Sequence, residues 1–140
     1  MGRTLRAAVA GAAAAGLWAA TEPALRRTCR TGYGEVRLLG RLLTPGPNWR
    51  QVGLAVHLVN GAMFGVAFDR LGGRGVRQAV IAAELENAVL WPTLLVADRL
   101  HPDVRDGTWT PLLHDRRVLA QEVAGHALFG TVLGLLLPAV

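Results

Sequence analysis

The chain has 140 residues, 51% hydrophobic and 18% charged, with fifteen arginines, no lysine and a formal net charge of +5. A soluble domain so short would have to leave much of that apolar surface in water. The single cysteine, Cys29, excludes an intramolecular disulfide and any cysteine-based metal or redox motif.

The apolar run Ala7 to Thr21 comes first, and its fifteen residues, rising about 1.5 Å each, fall short of a hydrocarbon core roughly 30 Å thick. Its basic start, Arg3 and Arg6, and the small residues Ala19 and Ala20 also fit a cleavable signal peptide. A repeat described below favours a retained span over residues 5–23.

GEVRLLGRLL, from Gly34 to Leu43, sets Val36, Leu39 and Leu43 on one helical face with Leu42 beside them, and Arg37 and Arg41 on another. This is the pattern of an amphipathic helix lying in the membrane interface. TPGPNW, from Thr44 to Trp49, breaks that helix and leads into the next span with Trp49 at headgroup depth.

Residues 51–69 form the second predicted span, because Gln51 to Phe68 holds eighteen residues without Asp, Glu, Lys or Arg. The third, residues 77–98, is apolar from Ala79 to Ala97 apart from Glu84, Glu86 and Asn87. Glu84 and Asn87 share a helix face, with Trp91 one turn further on, while Glu86 points roughly the other way. A carboxylate at the bilayer centre costs about 3 kcal/mol, so these groups must face the bundle interior or be protonated. Pro92 should kink this span and free the carbonyl of Ala88.

The polar stretch from Asp98 to Arg117 carries the breakers Pro102, Gly107 and Pro111 and reads as a loop. His101 and His114 lie in it beside Asp103, Asp106 and Asp115, as solvated loop residues rather than as a metal site. Residues 117–138 are the fourth span, ending in an uncharged run from Val123 to Val140. Counting arginines, the first and third loops with Arg50 hold ten, and the N-terminus and second loop hold five. The positive-inside rule then places those two loops in the cytoplasm and both termini outside.

Two patterns recur. HLVNGAMFG (His57 to Gly65) and HALFGTVLG (His126 to Gly134) both read H-x-x-x-G-x-x-x-G and lie 69 residues apart. GRTLRAAV (Gly2 to Val9) and GRGVRQAV (Gly73 to Val80) share G-R-x-x-R-x-A-V at a spacing of 71. Such agreement points to a duplicated helical hairpin, with span one matching span three and span two matching span four. The expected fold is therefore all-α: a single transmembrane domain over residues 1–140, a four-helix bundle of two duplicated hairpins with an interfacial helix in the first loop.

The candidate ligand-binding residues are the polar groups of the spans: His57, Asn60, Glu84, Asn87, Glu122 and His126. Span two aligns Gly53, His57, Gly61, Gly65 and Asp69, and span four aligns Glu122, His126, Gly130 and Gly134. Such stripes serve close helix packing, with each His bonded across to a partner helix. Alternatively the two histidines converge at the bundle axis, where they would ligate a haem iron or join Glu84 and Glu122 around a metal. No nucleophile motif, phosphate-binding glycine loop or complete triad appears.

Four spans with H-x-x-x-G-x-x-x-G late in the chain, as in HALFGTVLG, resemble the YagU-like small bacterial inner-membrane proteins. The resemblance covers spans two to four and implies a multi-pass cell-membrane protein; it supplies no reaction and no catalytic residues. The functional expectation is a membrane protein whose polar cluster binds a small ligand, a proton or a lipid headgroup. It needs no cofactor, and its partners are the lipid bilayer, the unidentified ligand and, for any transport path, a second copy in a homo-oligomer, with no nucleic acid. Two alternatives are a membrane-embedded enzyme or haem or metal redox protein acting on a lipid-soluble substrate, and a structural or assembly partner of another membrane protein.

Overall fold

The computed structural model describes residues 2–138, and every regular element in them is helical. The last two residues of the C-terminal apolar run lie outside this range. In chain order the elements are α1 (Arg3–Cys29), α2 (Glu35–Leu43), α3 (Trp49–Arg70), α4 (Gly75–Leu90), a 3-10 turn (Trp91–Thr93), α5 (Leu94–Leu100), α6 (Pro102–Arg105) and α7 (Arg116–Leu136).

Three helices are long and apolar enough to cross a membrane: Trp49–Arg70, the stretch Gly75–Leu100 taken through its 3-10 turn, and Arg116–Leu136. Helix α1 is longer, 27 residues, and does not stop at Pro23 as the sequence implied; Pro23 lies inside it. Helix α1 has polar ends and a buried face of Ala7, Ala10, Gly11, Ala14 and Ala15. Those small side chains fit its place in the fold, because α1 packs along α3 on one side and along α7 on the other.

Helix α7 in turn packs along α4, and α2 lies against α3. The spatial order is α3, α1, α7, α4. Consecutive in sequence, α3 and α4 share no comparable contact. Pro92 lies in the 3-10 turn where α4 gives way to α5.

Helix α2 is helical where predicted. Leu38 and Gly40 are its buried residues, whereas Leu42 and Leu43 are exposed. Backbone proximity explains this: a side chain begun at Gly40 would overlap the Trp49 carbonyl, and one begun at Gly53 would overlap that of Val36. The N-terminus of α2 has no cap of its own; instead the buried Glu22 of α1 accepts its Glu35 N–H at 2.6 Å.

The stretch after α5 is folded, which corrects the reading of His101 and Asp103 as solvated loop residues, whereas Asp106 and His114 are exposed as expected. His101 and Asp103 are fully buried, and Trp109 and Leu112 join Tyr33, Leu38, Leu94 and Ala97 in a second apolar core. Arg37 holds Asp103 through two bonds of 2.6 and 2.9 Å, and Arg41 approaches the same carboxylate at 3.3 Å. Asp98 accepts the N–H groups of Leu112 and Leu113, and Trp109 donates to the Gly32 carbonyl at 3.0 Å. The two arginine-rich segments thus form one cap. At the opposite end the buried Asp69 is clamped by Arg3 and Arg74 at 2.8 and 2.9 Å.

Candidate functional site: a polar cleft between α3 and α4

Because α3 and α4 do not pack together, a cleft lies between them. It has two chambers, of 70 Å³ and 440 Å³, which share Glu35, Asn60, Leu90 and His126. Helices α1 and α7 supply its floor through Trp18, Glu122, His126 and Phe129.

The predicted stripes form buried faces. On α3 these are Gly53, His57, Gly61, Gly65 and Asp69, and on α7 Glu122, His126, Gly130 and Gly134. The glycines set helix separation. A Cβ on Gly61 would come within 2.6 Å of the Ala15 Cβ, and one on Gly130 within 2.6 Å of the Val80 Cα. Gly61 faces Gly11 and Gly65 faces Ala7, while Gly130 faces Val80 and Gly134 faces Val76. All four positions of the first set map onto the second by adding 69. The G-R-x-x-R-x-A-V match, at 71, is two residues out of step with this packing.

The two histidines reach the same side chain. His57 packs edge-on against the Trp18 indole with ring centroids 5.0 Å apart, and His126 does so at 4.7 Å. His57 Nε2 donates to the Ala15 carbonyl at 3.1 Å, fastening α3 to α1. His126 Nδ1 donates to the Glu122 carbonyl one turn back at 2.8 Å. A carbonyl only accepts, so each imidazole carries a proton on the bonded nitrogen. Among the described residues no group of three or more His, Cys, Asp or Glu side chains is placed to share a metal ion.

Asn60 lines both chambers, and Asn87 and Glu122 line the larger one. Glu84 does not line the cleft: Asn87 Nδ2 reaches its Oε2 at 3.5 Å within α4, and its Oε1 is buried without a partner. Glu86, assigned by its helical position to the other face, lines the smaller chamber with both histidines. Trp18, Tyr33, Glu35 and Glu86 therefore join the sequence-derived set. The acidic side chain of Glu86 within an apolar run was the one usable signal. Trp18 had none of its own; the space it fills is created by Gly125 on α7, 107 positions away.

Gln121, also absent from the sequence reading, is buried behind the cleft. It donates to the Tyr33 carbonyl at 3.2 Å and accepts from the Thr31 hydroxyl, tying the α1–α2 connection to α7. Comparisons with protein-family models, with curated proteins and with solved structures gave no match.

Proposed function

We propose that the chain is a multi-pass protein of the cell membrane whose cleft between α3 and α4 binds a small ligand. Helices α1, α3, α4 with α5, and α7 are its four spans, arranged as two similar hairpins, α1 with α3 and α4 with α7. The shared 69-residue offset in both helix pairs supports the duplication. The likeness of HALFGTVLG to the YagU-like proteins belongs to the same reading.

One observation carries it: His57, Asn60, Glu86, Glu122 and His126 line two chambers that share Asn60 and His126, within helices otherwise apolar enough to cross a bilayer. Polar groups at membrane depth are costly unless they serve packing or a ligand. Packing accounts for one nitrogen of each histidine, while both side chains line the cleft. The arginine-rich cap is assigned to the cytoplasm and the Asp69 end to the outside.

The test is native mass spectrometry of the protein purified from membranes after a carbonate wash. The chain should stay in the membrane pellet, and a small molecule should co-purify with it and be lost when His57, Glu122 and His126 are replaced by Ala, Gln and Ala. Release by carbonate would overturn the membrane assignment. A ligand retained by the triple variant would overturn the site.

A further inference from the structure

The lining of the cleft is one-sided in charge and hydrogen bonding. Its ionisable groups include Glu35, Glu86, Glu122 and the two histidines, and no arginine lines either chamber. The Glu122 side chain is only 9% exposed and lacks a cationic partner. His126 Nδ1 is 4.0 Å from its carboxylate but gives its proton to the Glu122 carbonyl. The Tyr33 hydroxyl gives its one proton to Glu35, at 2.7 Å. A buried carboxyl left thus either holds a proton or is stabilised as the anion by a positive group that reaches it.

The rest of the cavity is apolar and aromatic: Trp18, Phe64 and Phe129 line the smaller chamber, and Trp91 and Leu94 the larger. Aromatic faces attract a desolvated cation. An anionic or phosphate-bearing ligand would meet carboxylates and no basic group but the histidines.

The geometry points to a small organic ammonium with an apolar body as the ligand, its head beside His126, which lines both chambers, with Glu122 on the larger side and Glu86 and His57 on the smaller, and its body against the aromatic walls. This rests on the reading of the cleft as a ligand site. It adds the chemical class.

Three matched probes test it: 2-naphthylmethylammonium, 2-naphthylmethanol and 2-naphthoate, titrated by equilibrium dialysis into the full chain in phosphatidylglycerol nanodiscs, with empty discs subtracted. The ammonium should bind saturably and at least tenfold more tightly than the alcohol, and the carboxylate should not bind. Glu122→Gln and Glu86→Gln should each weaken the ammonium at least tenfold and leave the alcohol within twofold. Because Glu122 is buried, Glu86→Gln keeps the test decisive if Glu122→Gln fails to fold. Equal or tighter binding of the alcohol or carboxylate would overturn the ammonium class while leaving the ligand site standing. Absence of saturable binding by all three would overturn both. Competition on exchanging the lipid for phosphatidylethanolamine would assign the site to a lipid headgroup and overturn the free amine.

Discussion

Trp18 occupies the space that a side chain at Gly125 would fill: a Cβ there would lie 2.5 Å from the indole nitrogen. The indole touched by both histidines thus owes its position to a missing methyl group on the facing helix. Gly125→Ala should force the ring to move and destabilise the fold by about 1–3 kcal/mol. Thermal unfolding in detergent measures this. An unchanged midpoint would show that Trp18 has room to shift.

The glycine stripes make a paired prediction. Gly61→Ala and Gly130→Ala each push a methyl into a neighbouring helix, and both should cost about 1–3 kcal/mol. Gly16→Ala is the control, since its Cβ would meet only the Leu58 Cδ2 at 3.5 Å. There the gain in helix propensity, up to about 1 kcal/mol, should leave stability unchanged or raised. Similar losses at all three positions would remove the argument from close packing.

Asp103 is buried, and its partners Arg37 and Arg41 are both partly exposed. Asp103→Ala leaves two arginines facing an apolar core and should cost about 3 kcal/mol; Arg37→Ala, with Arg41 still present, should cost less. A double-mutant cycle read by chemical unfolding separates the pair from its surroundings. A coupling near zero would mean that burial of each residue, not the ion pair, holds the cap.

His101 gives the cap a pH dependence. Burial lowers its pKa from the usual histidine value of 6.5, with Arg41 acting in the same direction and Asp103 opposing. A folded-state value below the unfolded one means that the unfolded chain takes up the proton first. Stability should therefore be full above about pH 6.5 and decline as the pH falls below it. His101 Nδ1 accepts the Asp103 N–H at 3.1 Å, a capping role that asparagine can also fill. His101→Asn should flatten the decline between pH 8 and 5; an unchanged slope would place the titration elsewhere.

The stripes on α3 and α7 were legible because His, Gly and Asp at intervals of four, inside uncharged runs, can only line up along one helix face. The helix break at Pro92 was legible for an equally local reason, the missing N–H. Helix α1 was read too short because its uncharged run ends at Arg6 on one side and at Glu22, Pro23 and the arginines Arg26 and Arg27 on the other, whereas the helix continues through all of them. The buried cap was hidden for the opposite reason. Asp103 looks like a loop residue until Arg37, 66 positions away, reaches it, and no local pattern announces such a pairing. Glu84 and Glu86 show the limit of helical-wheel reasoning: it separates their faces correctly but does not say which face meets the cleft.

The order of helices in space has a consequence for biosynthesis. Of the four long helices, α1 leaves the ribosome first and α7 last, yet they are neighbours. The first hairpin can join α1 to α3 at once, through Gly11 and Gly61. Trp18 meets Gly125 and His126 only when the final helix arrives, so until then the far flank of α1 lacks its partner. The floor of the cleft is the last surface to be completed, and a nascent chain halted after α4 would have its walls without the base that joins them.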